Sequence, residues 1–130
     1  MAIALNHTIV AARDKHKSAR FLTELFGLPD AVPAGHFLAV TIEHGLSLDY
    51  VDVAAGEPIS PQHYAFLVSE HDFDAIYGKI SDRGLAHWAD PRAARPNEIN
   101  RNDGGRGVYF RDPAGHFLEI ITRPYGSGPG

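Results

Sequence analysis

Hydrophobic and polar residues follow the same order twice along the chain. Each half opens with an apolar, β-branched run, continues with apolar residues at helical spacing up to a glycine, and ends in further apolar runs. This order predicts a strand, a helix and further strands in each half. Strands are predicted over 5–12, 37–43, 46–53, 63–68, 85–88, 108–110 and 117–122, helices over 15–26 and 72–83, a long loop over 90–105 and a frayed tail over 125–130.

The last two predicted strands form a hairpin around an unusual acidic residue. The sequence DPAG at 112–115 predicts a tight turn, because Asp-Pro opens a turn and glycine takes the positive φ that closes it. Glu119 then lies inside the returning strand with apolar neighbours on both sides. A carboxylate is costly to bury without a positive partner or a proton. The sequence therefore predicts an arginine, a proton or a metal ion beside Glu119.

The two halves also repeat one pair of polar residues. His7 and His63 begin the first strand of each half, and Asp49 and Glu119 each follow the order Gly, two residues, Leu in the last strand. Two copies of a βαβββ unit are most simply related by a pseudo-two-fold axis. Such an axis would bring both histidines and both acids to one place.

These four side chains predict a metal site. The chain has no cysteine, so a bound metal must be held by nitrogen and oxygen. Two imidazoles with one or two carboxylates suit a divalent Fe, Mn, Ni or Zn ion with open positions for a substrate. Aspartate is one methylene shorter than glutamate, so Asp49 can stop short of the ion. A packed histidine or a glutamate paired with an arginine is the structural alternative.

Composition narrows the partners of the protein. A formal net charge of -4 without a basic run argues against nucleic acid. No stretch approaches the ~20 apolar residues of a membrane span, and no signal-like region opens the sequence. We therefore expect a cytoplasmic protein with a small-molecule substrate.

Three stretches carry a resemblance to a known family: LNHTIV at 5–10, QHYAFLV at 62–68 and VYFRDPAGHFLEI at 108–120. They resemble the vicinal oxygen chelate superfamily of glyoxalase I, extradiol dioxygenases, fosfomycin-modifying enzymes and bleomycin-resistance proteins. The resemblance implies one α+β domain over 1–130, whose βαβββ modules at about 3–56 and 60–125 pair into a curved mixed sheet around a metal-binding groove. It also implies a homodimer, with module pairing either within a chain or between chains.

The resemblance implies that His7, His63 and Glu119 match the metal ligands of the family, and Asp49 stands where glyoxalase-like members have a fourth acid. One hypothesis is thus a metal-dependent lyase or dioxygenase, with Glu119 and Tyr109 as catalytic residues and Tyr109 donating a hydrogen bond to a bound oxyanion. The alternative is a metal-free protein that binds an aromatic molecule or antibiotic. Its stacking walls would be Tyr64, Trp88 and Tyr109.

Overall fold

The computed structural model describes residues 2–128, which form eight β-strands and two α-helices joined by turns and loops. The elements in chain order are β1 (His7–Ala12), α1 (Lys15–Phe26), β2 (Val32–Ala34), β3 (Phe37–Thr41), β4 (Ser47–Asp52), β5 (His63–Leu67), α2 (Glu70–Asp82), β6 (His87–Trp88), β7 (Gly107–Arg111) and β8 (Phe117–Ile121). Within the described residues, no helix has the length and apolar character to cross a membrane.

The chain divides into two compact units, Met1–Ser60 and Pro61–Gly130. The first unit contains a sheet with the strand order β1-β4-β3-β2, and the second contains a sheet with the order β5-β8-β7-β6. In each sheet the first pair of strands is parallel and the others are antiparallel. Each unit therefore has the predicted βαβββ order, and the predicted α+β fold class is confirmed.

One face of each sheet packs against the helix of the same unit and is buried. The other face is not covered by that helix. In the first unit, buried residues of α1 and of one sheet face form the core: Ala19, Leu22, Leu25, Val10, Leu38, Val40, Leu48 and Tyr50. In the second unit, the corresponding residues are Phe73, Ile76, Ile80, Val108, Phe110, Leu118 and Ile120. The Tyr77 hydroxyl on α2 lies 3.2 Å from Nε2 of His87, which places the helix on the Phe110 side of the sheet.

Local sequence explains where the helices begin. Asp14 caps α1 by accepting hydrogen bonds from the backbone N–H groups of His16 and Lys17. Ser69 caps α2 by accepting from the N–H of Asp72. The predicted start of α2 at residue 72 is therefore two residues late, because the cap lies at Ser69 and the helix begins at Glu70.

One short strand was not predicted. β2 is three residues long, fully exposed and contains Pro33, so it has no apolar alternation that could mark it. A proline is tolerated there because β2 is an edge strand paired with β3 alone.

The long loop after β6 is held by its own polar groups. The Asp90 carboxylate accepts hydrogen bonds from the backbone N–H groups of Arg92, Ala94 and Arg95, and these bonds lower the pKa of that carboxyl. The buried side chain of Asn100 donates to the carbonyl of Ala89 at 2.9 Å. The loop is thus anchored at both ends.

Arg106 ties the end of this loop to α2. Its guanidinium donates to Glu70 at 2.8 Å and to Asp74 at 2.7 Å, and it lies 4.4 Å from the ring centre of Phe73. The Thr122 hydroxyl and Arg106 lower the carboxyl pKa of Glu70, and Arg106 lowers that of Asp74. A carboxyl whose folded pKa is lowered stabilises the fold above its unfolded pKa, and this stabilisation disappears as pH falls through the folded pKa.

We expect Arg106→Gln to reduce the free energy of unfolding at neutral pH, because both carboxylates lose their partner. The same change should flatten the loss of stability on acidification below the ordinary carboxyl values of 4.5 and 3.8. Urea denaturation at neutral pH and at a series of acidic pH values measures both effects. Arg101→Gln, in the same loop, is the matched control. Parallel pH curves for wild type and Arg106→Gln would contradict the assignment.

Candidate metal and substrate site

Strand register places one histidine and one acid on the helix-free face of each sheet. In the second unit His63 is paired with Phe117, and Glu119 is paired with Ala65. In the first unit His7 is paired with Ser47, and Asp49 is paired with Ile9. The offset between histidine and acid is the same in both units, because each pair lies on two neighbouring parallel strands.

In the second unit, the histidine and the acid are in contact. Nε2 of His63 lies 2.9 Å from Oε1 of Glu119. The Glu119 side chain is 0% exposed, whereas that of His63 is 45% exposed. The site therefore pairs a carboxylate that is inaccessible to solvent with an imidazole that solvent or a ligand can reach.

None of the ion pairs observed within residues 2–128 joins Glu119 to an arginine. Arg106 is engaged by Glu70 and Asp74, and the Arg111 guanidinium lies over aromatic rings. His63 is the ion-pair partner that the structure gives Glu119. Of the three partners that the sequence left open, a proton and a metal ion remain.

Two tyrosines complete the surroundings of Glu119. The Tyr125 hydroxyl donates to both carboxylate oxygens, at 2.5 Å from each, and lies 3.3 Å from the hydroxyl of Tyr109. Burial raises the pKa of Tyr109, and burial followed by the hydrogen bond to Glu119 raises the pKa of Tyr125. Both hydroxyls therefore stay protonated at neutral pH and act as hydrogen-bond donors.

The position of Tyr125 corrects the prediction of a frayed tail over 125–130. A turn brings this tyrosine back to β8: the Ser127 N–H and hydroxyl both donate to the carbonyl of Pro124, and Gly126 has a φ of 74°. Residues 129 and 130 of the predicted tail lie outside the described residues. Sequence reasoning missed Tyr125 because a glycine-rich stretch carries no apolar pattern; its one signal was an aromatic residue six positions after Glu119.

The turn before β8 fixes the strand on which His63 lies. Asp112 accepts hydrogen bonds from the N–H groups of Ala114 and His116, and Nδ1 of the buried His116 accepts from the N–H of Gln62 at 2.9 Å. Gln62 immediately precedes His63. His116 is thus a structural residue that aligns the start of β5 with β8.

In the first unit, the corresponding pair is supported by neighbouring polar groups. Nδ1 of the exposed His7 lies 2.7 Å from the side-chain oxygen of Asn6, which leaves Nε2 as the nitrogen available to a ligand. The Ser47 hydroxyl donates to the Asp49 carboxylate. Across residues 2–128 no three histidine, aspartate or glutamate side chains form a metal-holding group. Each unit by itself thus presents half of the predicted ligand set.

The chemistry of the His63–Glu119 pair fits a divalent ion. Nε2 of His63 and Oε1 of Glu119 lie 2.9 Å apart, so both donor atoms could reach the same ion. One nitrogen and one carboxylate oxygen are donors that Zn²⁺ and Fe(II) accept. His63 and Glu119 are therefore the residues of this unit that could hold the metal.

A pocket of about 150 Å³ opens beside His63 in the second unit. Aromatic rings dominate its walls, with one arginine and one aspartate; the lining residues are His63, Trp88, Asp90, Pro91, Ala93, Tyr109, Phe110, Arg111 and Phe117. Trp88 and Tyr109 therefore lie where the sequence predicted stacking walls. Tyr64 does not line the pocket, because it points to the other side of β5, where its ring meets that of His116 edge-on at 5.8 Å.

We expect Tyr125→Phe to destabilise the metal-free protein by about 1–2 kcal/mol, because the buried carboxylate of Glu119 loses a hydrogen-bond donor. Chemical denaturation in the presence of a chelator measures the change in the free energy of unfolding. Tyr64→Phe, at a tyrosine whose ring meets His116 on the opposite side of β5, is the matched control. Equal stability of Tyr125→Phe and wild type would show that this hydroxyl does not support Glu119.

Comparisons with known proteins agree with the family resemblance that the sequence carries. The family model described as "Glyoxalase/Bleomycin resistance protein/Dioxygenase superfamily" matches residues 4–120. A solved structure described as oxidase ChaP-H2 is 60% identical, with a TM-score of 0.95, over 99% of this chain and 100% of that chain. The glutathione transferase FosA of Serratia marcescens is 32% identical over 127 residues, which are 92% of this chain and 81% of that protein.

A more distant structure shows the fold alone. It is a fosfomycin resistance protein FosX from Listeria monocytogenes in complex with Mn(II), which is 20% identical with a TM-score of 0.70 over 98% of this chain and 95% of that chain. Together these findings confirm the resemblance seen in the sequence. The relatives of higher identity are both enzymes by name, an oxidase and a glutathione transferase.

Proposed function

Because the chain belongs to the glyoxalase/bleomycin resistance protein/dioxygenase superfamily, we propose that it is a metal-dependent oxidase of a small, oxygen-bearing aromatic molecule. The proposal rests on the contact between His63 and the buried Glu119, which lies at the edge of an aromatic pocket. The similarity to oxidase ChaP-H2 at 60% identity favours oxidation over the transferase chemistry of the more distant FosA.

His63 and Glu119 are the proposed metal ligands of the second unit. We propose His7 as a third ligand and Asp49 as a candidate fourth, contributed by the first unit of the same chain or of a partner chain. When bound, a divalent ion would polarise the substrate oxygens and, as Fe(II), would allow dioxygen to act as the oxidant. The burial of Glu119 supports the assignment, since a sealed carboxylate needs a positive charge or a proton.

Tyr109 is proposed to orient the substrate by donating a hydrogen bond to its oxygen. Its hydroxyl lies on the pocket side of the sheet, and its ring centre is 6.0 Å from that of His63. Burial raises the pKa of Tyr109, which keeps the phenol protonated and able to donate at neutral pH. Donors held in place beside a developing oxyanion commonly supply a large share of rate enhancement.

The proposed site also bears on the oligomeric state of the protein. We propose a homodimer, as the family resemblance implies, in which the two halves of the ligand set meet either within one chain or between the two chains. A cytoplasmic location also remains a proposal, supported by the composition of the chain and its lack of cysteine.

Metal content is the first test. We expect protein purified without a chelator or affinity tag, and then offered Fe(II), Mn(II), Ni(II) or Zn(II), to hold about one divalent ion per chain by mass spectrometry. Glu119→Gln and His63→Ala should lose most of that metal, because each removes a donor. His71→Ala, at an exposed histidine on α2, is the matched control.

A chain that stays free of metal after all four ions are offered would overturn the enzyme proposal. The aromatic pocket would then favour the second candidate, a protein that binds an aromatic molecule or antibiotic without transforming it. Calorimetric binding of an aromatic ligand without turnover would support that candidate.

Oxygen uptake tests the reaction. With Fe(II) and an aromatic ortho-diol such as 4-methylcatechol, we expect oxygen consumption that Glu119→Gln abolishes. Tyr109→Phe should lower kcat by roughly 10²–10³-fold, the usual effect of removing one oxyanion donor, while leaving the bound metal unchanged. Unchanged kcat in Tyr109→Phe would remove Tyr109 from the catalytic role.

A further inference from the structure

We propose that Arg111 is the specificity residue of the pocket and selects aromatic substrates that carry an anionic group, such as a carboxylate or an ionised phenol. This inference rests on the proposed function for the identity of the pocket, and it adds the charge of the substrate. It depends on three features of Arg111: its place in the sheet, its aromatic neighbours and the absence of an acidic partner.

Arg111 ends β7 on the helix-free face of the second sheet. Its cross-strand partner is Phe117, which is paired in turn with His63. Tyr109, two residues earlier on the same strand, therefore lies on the same face. The register thus places a permanent positive charge on the pocket wall, beside the imidazole that is proposed to bind the metal.

Two aromatic rings hold the guanidinium of Arg111 in place. Its central carbon lies 4.8 Å from the ring centre of Phe117 and 5.6 Å from that of Trp88. Both distances fall within the range of a cation–π interaction. A cation–π contact involves no hydrogen-bond acceptor, so the five N–H donors of the guanidinium can still serve a ligand.

Two acidic residues near this wall, Asp90 and Asp112, make their hydrogen bonds to backbone N–H groups. Asp90, which lines the pocket, accepts hydrogen bonds from three backbone N–H groups of its loop, and Asp112 accepts from those of its turn. Within residues 2–128 the ion pairs are made by Arg95, Arg106 and His63, and none involves Arg111. The charge of Arg111 is therefore available to a ligand.

The other residues of the pocket indicate the nature of the uncharged part of the ligand. A volume of about 150 Å³ suits a ligand of one or two rings, since a cavity of this size holds a benzene ring. The rings of Trp88, Tyr109 and Phe117 favour a planar aromatic body, and Arg111 matches a planar anion because its donors form a rigid fork. A lysine at this position would keep the charge but lose both the fork and the stacking.

The test compares two ligands of equal shape, naphthalene-2-carboxylate and naphthalene-2-carboxamide, by calorimetry on the full chain with chelator present. We expect the carboxylate to bind roughly tenfold to a hundredfold more tightly than the carboxamide. Trp88 is the only tryptophan of the chain, so a change in its fluorescence locates either ligand in this pocket. Because no metal is present, the measurement does not depend on the proposed oxidase activity.

Arg111→Gln should make the two affinities roughly equal, because the charge that distinguishes the two ligands is gone. Arg111→Lys should retain only part of the preference. Arg92→Gln, at an exposed arginine of the adjacent loop that does not line the pocket, should behave as wild type. A carboxylate preference that persists in Arg111→Gln would overturn the inference, and so would equal affinities in the wild type.

Discussion

A carboxylate that is removed from solvent must be neutralised or hydrogen-bonded, and Glu119 imposes this requirement on every element around it. β8 lies between β5 and β7, so its central residue faces a neighbour on each side. β5 supplies the imidazole of His63, and β7 supplies Tyr109, the cross-strand partner of Glu119. The chain after β8 then turns back and adds the hydroxyl of Tyr125. The side chains of the site therefore come from several segments of the chain, which converge on one acidic residue.

Strand register is the constraint that makes this assembly possible. A slip of one residue between β5 and β8 would turn Glu119 toward α2 and leave a charge in the apolar core. The turn at Asp112 prevents such a slip, because His116 within it binds the backbone of Gln62 and so fixes where β5 starts. The first unit repeats the same offset between His7 and Asp49, which indicates that register is the property shared by both units.

Much of this arrangement could be predicted because it depends on short-range pattern. Apolar periodicity indicated both helices and seven of the eight strands of the described chain, and the repeated His-acid pair drew attention to His63 and Glu119, which lie 2.9 Å apart. β2 was missed because an exposed three-residue edge strand with a proline has no periodicity. Tyr125 was missed because its role depends on a turn after the last strand. Such contacts depend on the path of the chain, which local propensity does not encode.

Arg111 and Glu119 are charged residues on the same helix-free face of the second sheet, and they do not form an ion pair with each other. An ion pair between them would neutralise the carboxylate that contacts His63. The rings of Trp88 and Phe117 hold the guanidinium of Arg111 away from that pairing, while Tyr125 and His63 satisfy Glu119. Because neither charge cancels the other, the acid is left for a cation and the guanidinium for an anion. A substrate that bridges a metal ion and Arg111 would use both.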